Sequence, residues 1–290
     1  MITTRSTKLH RRPFLQKVKV ESDQRTPEQV REHYQIEKEL ANRLCESSRE
    51  ERSTLYASLY DELHRQVPFV IEQQSSESTT GEMSPQWRFL RRFLRKETVF
   101  LEIGAGNCIT SLMAAKLVKK VYAMEVSEEA VKSVKGPENY EFILSGGRDI
   151  PLPAESVSVA YSHQVMEHIH SDDAVEQLTD IYRILVKGGI YICVTPNRLS
   201  GPYDISKYFD EVATGFHLKE YTNTDLSDLF KKIGFSKVNA YYGAMGIYVR
   251  CPLFALRLLE SLLGKLPHPM RRTIAGLLLL VNIRLVGIKK

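Results

Sequence analysis

Cysteine is scarce: four of the 290 residues, at Cys45, Cys108, Cys193 and Cys251, far apart and without a CxxC pair. That spacing excludes a disulfide scaffold and a cysteine-based structural zinc site, and it predicts a reducing, cytoplasmic setting. Long hydrophobic runs are also missing. The longest, residues 274–283, is about half of what a bilayer span needs, and Arg271, Arg272 and Arg284 flank it. No secretory apolar segment stands at the start. The stretch from Pro252 to Leu280 therefore reads as two short apolar helices broken at residues 267–269, forming either buried core or a face lying on a membrane surface.

Acids are rare at both ends. Residues 1–25 carry seven Lys/Arg against Glu21 and Asp23, and residues 250–290 carry eight against Glu260 alone. The chain as a whole has a formal charge of +5, so the segment between the ends is net acidic. A basic arm of this kind is a solvated tail or is drawn to an anionic surface. The first twenty residues, acid-free and rich in Arg, Ser and Thr, also share the composition of transit peptides. With 43% hydrophobic and 26% charged residues, the remainder is of globular composition.

After the arm, Thr26-Pro27-Glu28-Gln29 combines an N-cap, a proline at the first helical position and a capping-box glutamine. Two polar helices are predicted from here. Val30, Tyr34, Ile36, Leu40 and Leu44 mark the first, and Leu55, Leu59 and Leu63 mark the second, which Pro68 ends. Residues 73–84 read as a loop. This divides the chain into an arm (1–25), a helical cap (26–85) and an α/β domain (86–290) with an apolar helical insertion at 250–281.

From Trp87 onward, strands alternate with helices, the pattern of a sheet built from βαβ units. Strands are predicted at 98–103, 120–124, 140–144, 157–161, 189–194, 237–242 and 282–288. Helices are predicted at 108–118, 127–134, 172–186 (stopped by the glycines after Lys187) and 224–233. The fold class is thus α/β, a doubly wound, mostly parallel seven-stranded sheet.

The segment VFLEIGAGNC (99–108) sets a strand against a glycine turn and a helix, an arrangement that lets backbone approach a ligand closely. Glu125 ends the second strand 21 residues after Gly104, where a carboxylate can accept hydrogen bonds from ribose hydroxyls. A dinucleotide site would want a third glycine, but Ile109 stands there. Taken with the loop and strand that lead to Glu167-His168 (150–168) and with Leu185-Val186-Lys187-Gly188-Gly189, the segment 98–243 resembles the class I S-adenosylmethionine (SAM) dependent methyltransferases. Within that class it is similar to the type 11 group that includes quinone-methylating enzymes.

The resemblance implies a Rossmann-like sheet whose last strand is antiparallel, with SAM as cofactor and S-adenosylhomocysteine as product. It implies that Glu102, Gly104 and Gly106 wall the methionine end, that Glu125 holds the ribose hydroxyls, that Ala105 and Val126 also bind the cofactor, and that Asp149 stands near the adenine. Asp149 departs from the pattern because Gly146 and Gly147 intervene after the strand, and Cys108 replaces a third glycine. His217 and His163, ahead of His168, are the candidate bases. His163 also falls at the cofactor, and Tyr161, Asn197, Asp204 and Tyr221 fall at the acceptor mouth. No metal-ligand set is read. The acidic body and the absence of an NPPY-like segment argue against nucleic acid and for a small organic acceptor, O- or C-methylated and lipid- or quinone-like, with peripheral membrane contact through the C-terminal segment. A non-catalytic SAM-binding protein, or an enzyme acting on RNA or protein, is the alternative.

Overall fold

The computed structural model describes residues 25–69, 83–127 and 134–290. The basic arm up to residue 24, most of the 73–84 loop and most of the helix expected at 127–134 lie outside the described residues.

Helix α1 (Pro27–Glu46) starts at the predicted capping box, Thr26 accepting from the Gln29 N–H. Helix α2 (Arg49–Gln66) starts at a second one, Ser48 with Glu51. Their apolar residues, among them Leu40, Leu44, Leu59 and Leu63, join the core on one side of the sheet. A short helix α3 (Pro85–Leu90) carries Trp87, Phe89 and Leu90 to the opposite side.

The sheet follows: β1 (Val99–Ile103), α4 (Ile109–Ala115), β2 (Lys120–Glu125), β3 (Tyr140–Leu144), β4 (Val157–His163), α5 (Ser171–Ile184), β5 (Leu185–Pro196) and α6 (Asn223–Ile233). It closes with β6 (Lys237–Ala244), β7 (Ile247–Cys251), α7 (Leu253–Leu263), α8 (His268–Leu277) and β8 (Asn282–Ile288). The strand order is β3-β2-β1-β4-β5-β8-β6-β7. Strands β1 to β5 pair in parallel, while β8 runs antiparallel to both β5 and β6. The Rossmann-like α/β architecture with an antiparallel final strand matches the sequence reading.

Two details differ from that reading. An eighth strand, β7, pairs with β6 through a tight turn in which Met245 and Gly246 both take positive φ. The predicted strand stopped short of that turn. Helix α5 ends at Ile184, before the glycines, because Leu185 already pairs with Val157 across a bulge and the chain runs straight into β5. Helix α7 is tied to α6 by Glu260, whose buried carboxylate accepts from the backbone and side chains of Asn223 and Thr224. A carboxylate at a helix N-terminus satisfies its unpaired N–H groups and complements its dipole.

Candidate functional site

The ends of β1, β2 and β4 open into one cavity of about 1030 Å³. Its floor is the glycine turn after β1. Gly104 and Gly106 have φ of +70° and +50°, a region where side chains other than glycine are strained. A Cβ on Gly104 would meet Val165 at 2.4 Å, whereas one on Gly106 would meet nothing within 4 Å. Gly106 lines the cavity, so its missing side chain leaves room for a ligand against the backbone.

Glu125 stands beside this turn. Its carboxylate accepts from the N–H groups of Gly106 (2.8 Å) and Val126 (2.7 Å) and still faces the cavity. A carboxylate has about four lone-pair sites, so acceptor capacity remains for ligand hydroxyls. Glu102, at the end of β1, accepts from Ser111, and burial raises its pKa to about 7. Of the residues read as cofactor-binding, Glu102, Gly104, Ala105, Gly106, Glu125, Val126 and His163 all line this cavity.

Asp149 is the exception. It is exposed and does not line the cavity. The turn that the extra glycines build accounts for this: Ser145 Oγ donates to the Asp149 carbonyl, and Gly147, at φ +85°, gives its carbonyl to Gln177. Gly147 and Gln177, rather than Asp149, border the cavity there.

The other half of the cavity is rich in histidine and carboxylate. Tyr161, Asp204, His163, His168 and His217 line it. Asn197 and Tyr221 do not; they are buried and pair with each other in a single β-bridge. Asp204 and Glu220 organise the loop leading to His217. Asp204 accepts from the Gly215 N–H (2.9 Å), and Glu220 accepts from the Tyr203 N–H (2.7 Å) and from His217 Nδ1 (2.9 Å).

Electrostatics separates the histidines. Burial disfavours the charged form of His217, but the Glu220 hydrogen bond and the charges of Glu167, Glu220 and Asp204 outweigh it and lift the pKa to about 9. Burial, with Arg284 adding to it, lowers His163 to about 4, and burial next to His217 lowers His168 to about 3. At neutral pH His217 therefore carries a proton and the other two do not. This setting disfavours His217 as a base and suits its ring to donating a hydrogen bond. Burial also pushes Glu167 up to about 7.

The sequence reading named a helical cap but none of its residues at the site. Helix α2 brings Tyr56, Tyr60, Asp61 and His64 to the cavity, and α1 brings His33 and Glu37. Tyr60 packs edge-on against His168 and Phe216, Asp61 accepts from Ser127 at 2.9 Å beside Glu125, and Glu37 accepts from the Phe216 N–H at 3.1 Å. The available signal was Tyr56, Tyr60 and His64, one helical face of aromatic rings on an otherwise polar helix.

Comparison with known proteins agrees with this geometry. The family described as "Methyltransferase domain" matches residues 101–193, which include the end of β1, the glycine turn, Glu125 and most of β5. Residues 101–193 are thus similar to a methyltransferase domain.

A Mycolicibacterium smegmatis protein called "Probable S-adenosylmethionine-dependent methyltransferase" is 28% identical over 148 residues, which is 50% of this chain and 55% of that one. A Mycobacterium tuberculosis protein of the same description is 29% identical over 139 residues, 48% of each chain. The chain spans about half the length of the curated relatives it matches. Among solved structures, a SAM-dependent methyltransferase from Archaeoglobus fulgidus aligns with a TM-score of 0.52 at 14% identity, covering 77% of this chain and all of that one. One from Mesorhizobium loti aligns at 0.51 and 13%, covering 71% and 98%. These last two show that this chain shares their fold. The cofactor this family implies is SAM, and the open space at Gly106, the carboxylate of Glu125 and the size of the cavity fit it.

Proposed function

We propose that this chain transfers a methyl group from SAM to a small organic acceptor. The observation that carries the reading is the single roofed cavity. The glycine turn and Glu125 occupy one half, the acidic and histidine-rich pocket occupies the other, and α1 and α2 cover both. A cavity of this size takes the cofactor and a compact second molecule, whereas a folded RNA or protein would have to displace the roof.

SAM supplies, when bound, an electrophilic methyl group on sulfur. The chain's residues do the rest by binding, orienting and excluding water. Glu102 and the glycine turn would hold the methionine end, Glu125 would accept from the ribose hydroxyls, and Val126 and Gly147 would border the adenine. His217, protonated and fixed by Glu220, would stabilise the negative charge developing on an acceptor oxygen while neutral His163, facing the same cavity, takes up that oxygen's proton, so O-methylation is the favoured chemistry.

The test is formation of S-adenosylhomocysteine from SAM by the full chain, with phenolic, quinol and carboxylic acceptors set against RNA and protein. Product with small phenols or quinols alone supports the reading. Product with RNA or protein alone overturns it.

A lipid-like acceptor or a membrane-associated site is supported by the C-terminal helices. On α7, Phe254, Leu258 and Leu262 form a stripe of exposed apolar side chains at helical spacing, and Met270 and Leu277 of α8 are exposed as well. Basic residues, including Arg250 and Lys265, accompany them, while the one acid of the segment, Glu260, is buried against α6. No helix among the described residues is long and apolar enough to cross a membrane. An apolar face with basic flanks matches an anionic lipid surface. Replacing both Phe254 and Leu258 with Ser is expected to reduce binding to vesicles containing phosphatidylserine by about tenfold or more. Unchanged flotation, or no binding by the unaltered chain, would sink this part of the reading.

A further inference from the structure

Glu167, His168 and His217 converge beneath the roof, each offering one ligand-type atom within 4.8 Å of the other two. Two of the three line the cavity. They are brought together by the turn Met166–His168 after β4 and by the 215–220 loop, which the Lys219 N–H links to the Glu167 carbonyl at 3.1 Å.

Three features of this cluster point to a ligand. His168 donates its Nδ1–H to the Phe216 carbonyl at 2.9 Å. His217 directs its Nδ1 to the Glu220 carboxylate, also at 2.9 Å. With Nδ1 of each ring held in this way, Nε2 is the nitrogen that would take a ligand, the arrangement by which a carbonyl or carboxylate orients a metal-binding imidazole. The third feature is on Glu167. The residue is fully buried, its Oε2 accepts from Thr195 at 2.9 Å, and its Oε1 has no hydrogen-bond partner. A buried carboxylate oxygen without a donor is costly, and native structures contain few of them.

We propose that Glu167, His168 and His217 bind a divalent first-row metal ion, with Zn²⁺ as the reference ion and with coordination positions left open to the cavity. Two imidazoles and one carboxylate form a donor set that suits zinc and its neighbours. It has too few oxygens for calcium or magnesium and no thiolate for copper(I). The surrounding Asp204, Glu220 and Glu37 make the pocket acidic, which favours a cation. The ion would displace the proton of His217 on binding and supply positive charge in its place where the acceptor oxygen is proposed to sit; its binding depends on these three side chains and is measured without SAM or acceptor.

The experiment uses the full chain, stripped with a chelator and dialysed, without SAM or acceptor. Calorimetric titration with ZnCl₂ is expected to give one equivalent bound at micromolar Kd or tighter. Titration with CoCl₂ is expected to give a visible absorption band of a four- or five-coordinate nitrogen and oxygen site. Glu167→Gln and His217→Asn should each weaken Zn²⁺ binding by at least 10- to 100-fold, and Glu220→Gln, which removes the carboxylate orienting His217, by about tenfold. His64→Gln, a cavity histidine outside the cluster, should leave binding unchanged. Thermal melts of the metal-free variants establish that they fold. No stoichiometric binding by the folded unaltered chain overturns the proposal, as does equal affinity in folded Glu167→Gln and His217→Asn.

Discussion

Glu125→Ala is expected to weaken SAM binding by about 100-fold while leaving the chain folded. Two hydrogen bonds from ribose hydroxyls to a charged acceptor are each worth about 1.5–3 kcal/mol, and the loss of roughly 3 kcal/mol corresponds to two orders of magnitude in Kd. The same substitution removes the acceptor that the Gly106, Val126 and Ser127 N–H groups share, so the glycine turn loosens as well. Glu125→Gln keeps one acceptor oxygen and should fall between the two. Calorimetric titration with SAM and with S-adenosylhomocysteine measures this directly. Binding by Glu125→Ala equal to that of the unaltered chain would place the ribose elsewhere and remove the main support for the cofactor assignment.

The second large effect concerns the anchor of the roof. Arg52 of α2 reaches Asp173 of α5 with two hydrogen bonds, of 2.7 and 3.0 Å, and both residues are buried. Tyr56 adds a third hydrogen bond to Asp173 at 2.8 Å and accepts from the His170 N–H. Removing one partner leaves a buried charge without compensation, so Asp173→Asn or Arg52→Met should cost about 3–5 kcal/mol. In a chain of this size that lowers the thermal midpoint by roughly 10 °C. The double variant Arg52→Met with Asp173→Leu should recover most of the loss, because apolar packing often replaces such a pair without penalty.

The pair also sets an acid limit. Burial opposes the ionised Asp173, but the hydrogen bonds from Arg52 and Tyr56 and the charge of Arg52 prevail, and its pKa falls below the ordinary 3.8. A carboxyl group depressed on folding contributes stability above its unfolded pKa, and that contribution is lost as pH drops through the folded value. The Arg52–Asp173 contribution should thus be constant from neutral pH to about 4 and disappear below it. Denaturant titrations of the unaltered chain and of the double variant across pH 2–7 check this, because the difference between them should narrow only at the acid end.

Much of the cofactor half was legible beforehand because its determinants are local. A strand, two glycines that tolerate positive φ, and an acid one strand later form a contiguous pattern, and seven of the eight residues read there line the cavity. Asp149 failed for an equally local reason: the two glycines before it make a turn that carries it to the surface. The acceptor half was harder to read. Asn197 and Tyr221 are aromatic or polar residues near strand ends, as pocket residues often are, but their bridge to each other buries them in the core. The protonation of His217 has one local cause, the hydrogen bond to Glu220 three residues on, but the charges of Glu167, fifty residues away, and of Asp204 reach it only through the fold.

By itself, the sequence determined the element order, the α/β class, the helix start at Thr26, and the glycine turn with Glu125 one strand later, since capping, periodicity and backbone freedom act over a few residues. Tertiary structure alone decided which helices roof the cavity, which histidine is charged, and how Glu167, His168 and His217 meet. Those outcomes depend on burial and on charges brought together from distant segments, and both exist only once the chain has packed.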